Sequence, residues 1–264
     1  MGKVYLIGAG PGAPDLLTLR AARILECADI VFHDALVHAD ALALAARARI
    51  VAVGKRCSQI STDQRFINRN LVEAAARHDV VVRLKGGDPM IFGRAQEEID
   101  ALVAAGIEFE VVPGVTAALA ASAELAASLT RRGVSRSVVF ATPRIRNDQP
   151  ERDDSATSGW AQAVAAADTA ALYMTRAEAP ALLRALLDAG LPANHPVAIV
   201  ESASLPQARK LYGTLDSLPQ LAAETGGGPA VVILGEVLRE AVAAAQSTPA
   251  ADSGTDANPI RQVL

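Results

Sequence analysis

The chain has 264 residues, of which 51% are hydrophobic but only 3% aromatic, and its 25 basic and 29 acidic side chains leave a net charge of −4. That length suits one large or two modest α/β domains around a core of small aliphatic side chains, and the acidic balance argues against nucleic acid as the main partner. No apolar run approaches the roughly 20 residues that cross a bilayer, the start carries no leader pattern, and neither Cys27 and Cys57 nor the four scattered histidines have metal-ligand spacing; a cytoplasmic protein without metal, membrane partner or disulfide framework is expected.

Val4 to Ile7 reads as the first strand and runs into Gly8-Ala9-Gly10-Pro11-Gly12-Ala13-Pro14-Asp15. Leu16 to Cys27 then carries Leu16, Leu17, Leu19, Ala22, Ile24 and Leu25 on a helical period. Strand, glycine loop and helix suggest a dinucleotide site, since Gly8-x-Gly10-x-x-Ala13 fits the loose fingerprint and Asp29 or Asp34 stands where a ribose-binding acid belongs. Pro11 and Pro14 weaken that reading, because a proline nitrogen donates nothing where helix amides should open toward a pyrophosphate.

Ile30 to His33 and Ile50 to Val53 are the next strands, ending in His33-Asp34-Ala35-Leu36-Val37 and Gly54-Lys55-Arg56, with helical patterns over 40–46 and 63–77. Val80 to Val82 follows as a buried strand and ends in Arg83-Leu84-Lys85-Gly86-Gly87-Asp88-Pro89, before a helix from about Arg94 to Ala105. Paired glycines at a strand's carboxyl end let the backbone approach a small molecule, with no Cβ to block contact or forbid positive φ. Taken alone, Gly-Gly-Asp-Pro reads first as an ordinary strand-to-helix turn. Phe109 to Val112 leads to Pro113-Gly114-Val115-Thr116-Ala117 and a small-residue helix to about Ala127. Five carboxyl ends thus carry Gly, Pro, Asp or basic residues, and that edge of an open α/β sheet is where ligands bind.

The segments V-Y-L-I-G-A-G-P-G at 4–12, H-D-A-L-V at 33–37, V-G-K-R at 53–56, R-L-K-G-G-D-P-M-I-F-G-R at 83–94 and V-V-P-G-V-T-A at 111–117 are followed by L-T-R-R-G at 129–133, A-L-Y-M at 171–174 and P-A-V-V-I-L-G-E-V at 229–237. In this order and spacing the chain resembles the tetrapyrrole methylase family, the S-adenosylmethionine-dependent enzymes that methylate porphyrin and corrin precursors, and most closely its members acting on uroporphyrinogen III. The resemblance covers roughly residues 3 to 240. It implies a two-domain α/β fold with the cofactor in the interdomain cleft, distinct from a conventional Rossmann methyltransferase, and a homodimer. Domains at 1–131 and 132–243 are expected, with 244–264 a disordered tail rich in Ala, Ser, Pro, Asp and Gly. In the second domain, strands are expected at 137–141, 170–174, 197–200, 209–212 and 230–234, with helices from Trp160 and over 176–189.

Carried over residue by residue, the resemblance implies cofactor contacts from Pro11, Gly86, Gly87, Asp88, Thr116, Ala117, Met174, Ala203 and Ala230. Core packing is the competing reading for Met174 and the two alanines. Uroporphyrinogen bears acetate and propionate carboxylates, which guanidinium forks match, so Lys55, Arg56, Arg94 and Arg131 are candidate substrate contacts, with Arg132 foremost. Each is as readily a solvated surface charge. Asp34 is the candidate carboxylate for proton handling or pyrrole N–H binding, or else a turn cap. The implied reaction is C-methylation of uroporphyrinogen III at two pyrrole carbons to give precorrin-2, for siroheme or cobalamin. Departures from the usual family pattern fall at Ala13, Met90, Ala95, Gln96, Arg131 and Thr142-Pro143-Arg144, where they affect substrate contacts more than the class. Alternatives are a sibling methylase acting on a later corrin intermediate, or on protein or RNA, a nicotinamide-dependent oxidoreductase suggested by the glycine loop alone, and a catalytically silent cofactor-binding regulator.

Overall fold

Apolar runs alternating with amphipathic helices fold into two five-stranded sheets in the computed structural model, which describes residues 1–53, 64–143, 155–175 and 178–247. β1 (Lys3–Gly8), β2 (Ile30–His33), β3 (Arg49–Ala52), β4 (Val80–Lys85) and β5 (Phe109–Val112) make the first sheet. Its order is β3-β2-β4-β1-β5 and every pairing is parallel. A parallel sheet covered on both faces needs apolar side chains at both parities. Val4, Leu6 and Val81 accordingly pack with Ile67 and Leu71 of α3 (Gln64–Ala75) and Leu102 of α4 (Ala95–Ala104). Ile7, Val82 and Leu84 pack with Ala21 and Leu25 of α1 (Leu19–Cys27) and Ala41 of α2 (Ala39–Ala43).

β1 and β4 are therefore neighbours whose following helices leave to opposite faces. Such a divergence opens a crevice at the strands' carboxyl ends, the topological switch point of an open sheet. The dinucleotide fold runs 3-2-1-4-5 through this region; here β1 and β4 have exchanged places.

β6 (Val138–Ala141), β7 (Thr169–Tyr173), β8 (Pro196–Glu201), β9 (Arg209–Thr214) and β10 (Ala230–Gly235) form the second sheet in the order β6-β7-β10-β8-β9. Only β6 with β7 is parallel; β10 runs antiparallel to both β7 and β8. α6 (Ser155–Ala166), α7 (Ala179–Asp188) and α8 (Leu218–Ala223) cover one face through Val164, Leu182, Leu186 and Leu218. The other face takes α9 (Arg239–Ser247) and α5 (Ala117–Glu124), whose Ala118, Ala120 and Ala121 pack with Ala171, Ala198 and Ile233.

By packing, then, the first sheet's share of the chain ends near residues 113–116, ahead of the division placed at 131. α5 follows β5 in sequence, but its alanine face fits against β10. The region 130–134 is instead a tight turn in which Arg131 and Ser135 exchange backbone hydrogen bonds of 3.0 and 2.8 Å. Helix starts also differ from expectation. α1 begins at Leu19 because Thr18 caps it, Oγ1 accepting the Ala21 N–H, while Pro14–Leu16 forms a separate 3-10 turn. α6 starts before Trp160, α7 starts at Ala179, and α9 continues past 243 to Ser247; the rest of the expected tail lies outside the described residues. No helix among the described residues is long and apolar enough to cross a membrane.

Candidate functional site

The carboxyl ends of the first sheet face one edge of the second, formed by the carboxyl ends of β7 and β8 and the amino end of β10, where Val231 pairs with Tyr173 and Ala230 with Glu201. Thr116 Oγ1 lies 2.7 Å from the Tyr173 hydroxyl, which also accepts the Ala118 N–H at 3.2 Å. The Phe92 and Tyr173 rings meet with centroids 5.0 Å apart, and burial raises the tyrosine's pKa above its ordinary value. On the other side the Ala13 N–H donates to Ser204 Oγ at 3.0 Å, and the Ser204 N–H donates to Glu124 Oε1 at 3.1 Å.

Inside this frame the glycine loops touch backbone to backbone. Gly10 and Gly87 exchange hydrogen bonds of 3.2 and 2.7 Å. A Cβ on Gly8 would lie 2.6 Å from both the Gly87 carbonyl oxygen and the Gly114 Cα, a separation no side chain tolerates. Gly87 itself has φ +68°, and a Cβ there would lie 3.9 Å from Thr116 Cα and 4.0 Å from Ala117 N. Phe92, Arg94, Met174, Ser202 and Ser204 have φ between 51° and 70°. All five lie in loops of this edge, and left-handed backbone at non-glycine residues concentrates where surrounding structure enforces a functional shape.

Behind the β2 and β4 ends lies a buried ion cluster. Arg83 Nη2 is 2.5 Å from Asp34 Oδ1, and Arg83 Nε is 2.9 Å from Glu98 Oε1. Both Glu98 oxygens accept from Lys85 Nζ at 3.1 Å, and Oε1 also accepts from Gln64 Nε2 at 3.1 Å. Burial and the adjoining Arg83 lower the Lys85 pKa against the pull of Glu98. Burial works against the charge on Arg83 too, but Asp34 and Glu98 prevail and raise its pKa.

Of the expected cofactor residues, Gly87, Thr116 and Ala117 come together, with Pro11 beside the Gly10 bridge and Met174 next to Tyr173. Met174 is 43% exposed, so it is not a core residue, whereas Ala203 belongs to the α5 core. Asp88 is committed to the backbone: Oδ1 accepts the Met90 N–H at 2.8 Å and Oδ2 the Gly114 N–H at 2.9 Å. It braces two loops. Arg94 is paired with Glu97 and Arg131 with Glu240, while exposed Arg132 has no ion-pair partner among the described residues. Lys55 and Arg56 lie outside them. Asp29 accepts the Asp79 and Val80 amides, Asp34 pairs with Arg83, and α1 is capped by Thr18, beyond the glycine loop, so helix amides do not open at that loop as a dinucleotide site requires. Tyr173, Ser204 and Glu98 escaped sequence reading. Glu98 had a legible signal: with Ala95 and Leu102 it lies on the apolar stripe of α4, where a lone carboxylate needs a buried cation.

Two five-stranded sheets meeting at strand ends, with glycine loops in backbone contact between them, define a two-sheet α/β protein. A siroheme synthase of Pseudomonas aeruginosa (strain UCBPP-PA14) is 44% identical over 240 residues, 90% of this chain and 50% of that protein; the chain spans about half the length of such relatives. A Thermus thermophilus uroporphyrin-III C-methyl transferase, solved in complex with S-adenyl homocysteine, superposes with a TM-score of 0.77 at 38% identity, over 90% of this chain and 100% of that one. A cobalt precorrin-4 methyltransferase gives 0.77 at 26% identity, over 89% and 95%. The chain belongs to the Tetrapyrrole (Corrin/Porphyrin) Methylases, whose family model matches residues 3–219.

Proposed function

We propose that this chain is a C-methyltransferase that transfers methyl groups from S-adenosylmethionine to two pyrrole carbons of uroporphyrinogen III, giving precorrin-2. The observation that supports the reading is the backbone approach at the switch point, where a Cβ on Gly87 would lie 3.9 Å from Thr116 Cα and 4.0 Å from Ala117 N, with backbone rather than charge on both sides. A sulfonium nucleoside is suited to such a lining, since a strong anion beside the sulfur would stabilise its charged ground state. Pro11, Gly86 and Gly87 hold the nucleoside from the first sheet, and Thr116, Ala117, Met174 and the backbone beside Ala203 and Ala230 from the second. When bound, S-adenosylmethionine supplies a methyl group whose departure neutralises the sulfur. Since no strong base is required, the protein contributes mainly orientation and exclusion of water. Arg132 is the cation most available to a substrate carboxylate, and Asp34 the carboxylate at hand for a pyrrole N–H.

The siroheme synthase relatives support a product destined for siroheme, and the family likeness supports a homodimer. A later corrin intermediate is the second reading, favoured by the equal TM-score of the cobalt precorrin-4 enzyme; the higher identity, 38% against 26%, favours uroporphyrinogen. Anaerobic incubation with uroporphyrinogen III and methyl-labelled S-adenosylmethionine should yield a doubly methylated tetrapyrrole. No label in the macrocycle would overturn the assignment.

A further inference from the structure

Asp34 is held at one end only. Its Oδ1 meets Arg83, its side chain is 30% exposed, and Oδ2 has no hydrogen-bond partner among the described residues. Arg83, 2% exposed, is anchored from behind by Glu98, which is itself fully buried and shared with Lys85 and Gln64. Assembling two cations and an amide around one buried carboxylate costs desolvation that ion pairing rarely recovers, and among the described residues of the cluster Asp34 alone is appreciably exposed. Resting on the function proposed above, we propose that Glu98 and Arg83 are positioning residues for methyl transfer. They fix Asp34 by one oxygen so that the other is free to accept a hydrogen bond from a pyrrole N–H of the substrate, which orients the macrocycle toward the methyl donor. Glu98 touches neither ligand and acts through two side chains.

A double-mutant cycle tests this. Displacing an orienting group by a fraction of an ångström to an ångström costs up to about a hundredfold in rate, so Asp34→Asn should lower kcat by about that factor and Glu98→Gln by about tenfold. S-adenosylhomocysteine affinity, measured by calorimetry, should be unchanged in both. Because Glu98 works through Asp34, adding Glu98→Gln to Asp34→Asn should lower kcat no further. An equal tenfold loss in both backgrounds would overturn the proposal, as would a Glu98→Gln protein with wild-type kcat. If Glu98→Gln does not fold, the pair Glu98→Gln with Lys85→Met removes one charge of each sign and should give the same pattern. A crystal structure of the folded variant supplies a readout independent of turnover, in which Asp34 Oδ1 should leave Arg83; an unmoved carboxylate refutes the positioning. Should the wild type prove inert toward uroporphyrinogen III, the function fails on its own and the structures alone decide the positioning.

Discussion

Glu201 closes β8 with 3% of its surface exposed, in a nest of glycine amides: Gly226 donates to Oε2 at 2.8 Å and Gly228 to Oε1 at 2.6 Å. Burial raises its pKa, but the amides of Gly226, Gly228 and Gly227 and the nearby Arg209 outweigh burial and bring it below the ordinary 4.5. A carboxyl whose folded pKa is depressed adds stability that is complete above its unfolded pKa and disappears as pH falls through the folded one. This contribution to the urea midpoint should therefore hold from pH 7 down to the region of 4.5 and be lost as pH drops below it, and Glu201→Gln should flatten that dependence. At pH 7 the same variant leaves backbone donors poorly matched and should cost about 1–3 kcal/mol. Ser202, at φ 53°, follows directly, and Ser204, at φ 70°, stands two residues beyond it.

At the scale of elements, the alanines of α5 have a use. Its amino end carries Thr116, bonded to Tyr173, and its carboxyl end carries Glu124, bonded to Ser204. The helix thus ties both sides of the cleft together while lying flat on β10 through Ala118 and Ala121, each 0% exposed. Only small side chains permit that approach, and extra methylenes in a filled core force neighbours off their rotamers. Ala121→Leu should lower stability by about 1–3 kcal/mol in urea unfolding and weaken S-adenosylhomocysteine binding in calorimetry. Ala123→Leu, on the exposed side of the same helix, should change stability by no more than about 0.5 kcal/mol.

For the whole molecule, a ligand gripped between two sheets stabilises both. S-adenosylhomocysteine at a hundred times its Kd should add about 2.7 kcal/mol to the unfolding free energy, seen as a rise in Tm of the entire chain. NAD at the same concentration should produce no shift, because α1 starts only at Leu19, so its amides do not open at the glycine loop where a pyrophosphate would sit. A rise with NAD and none with S-adenosylhomocysteine would reverse the choice between the two glycine-loop readings.

Local patterns sufficed for the strands: Ile30–His33 and Phe109–Val112 stand with the expected bounds, since a continuous apolar run between turn residues admits little else. Glycine at the carboxyl ends of β1 and β4 was legible for the same reason. Strand order, the transfer of α5 to the second sheet and the chain Asp34–Arg83–Glu98 were not. Those contacts join residues 49 and 15 positions apart, and which helix face meets which sheet depends on all the apolar surfaces competing at once. Periodicity tells each segment what it becomes; only packing of the assembled layers decides what it lies beside, and so which carboxylate the cleft receives.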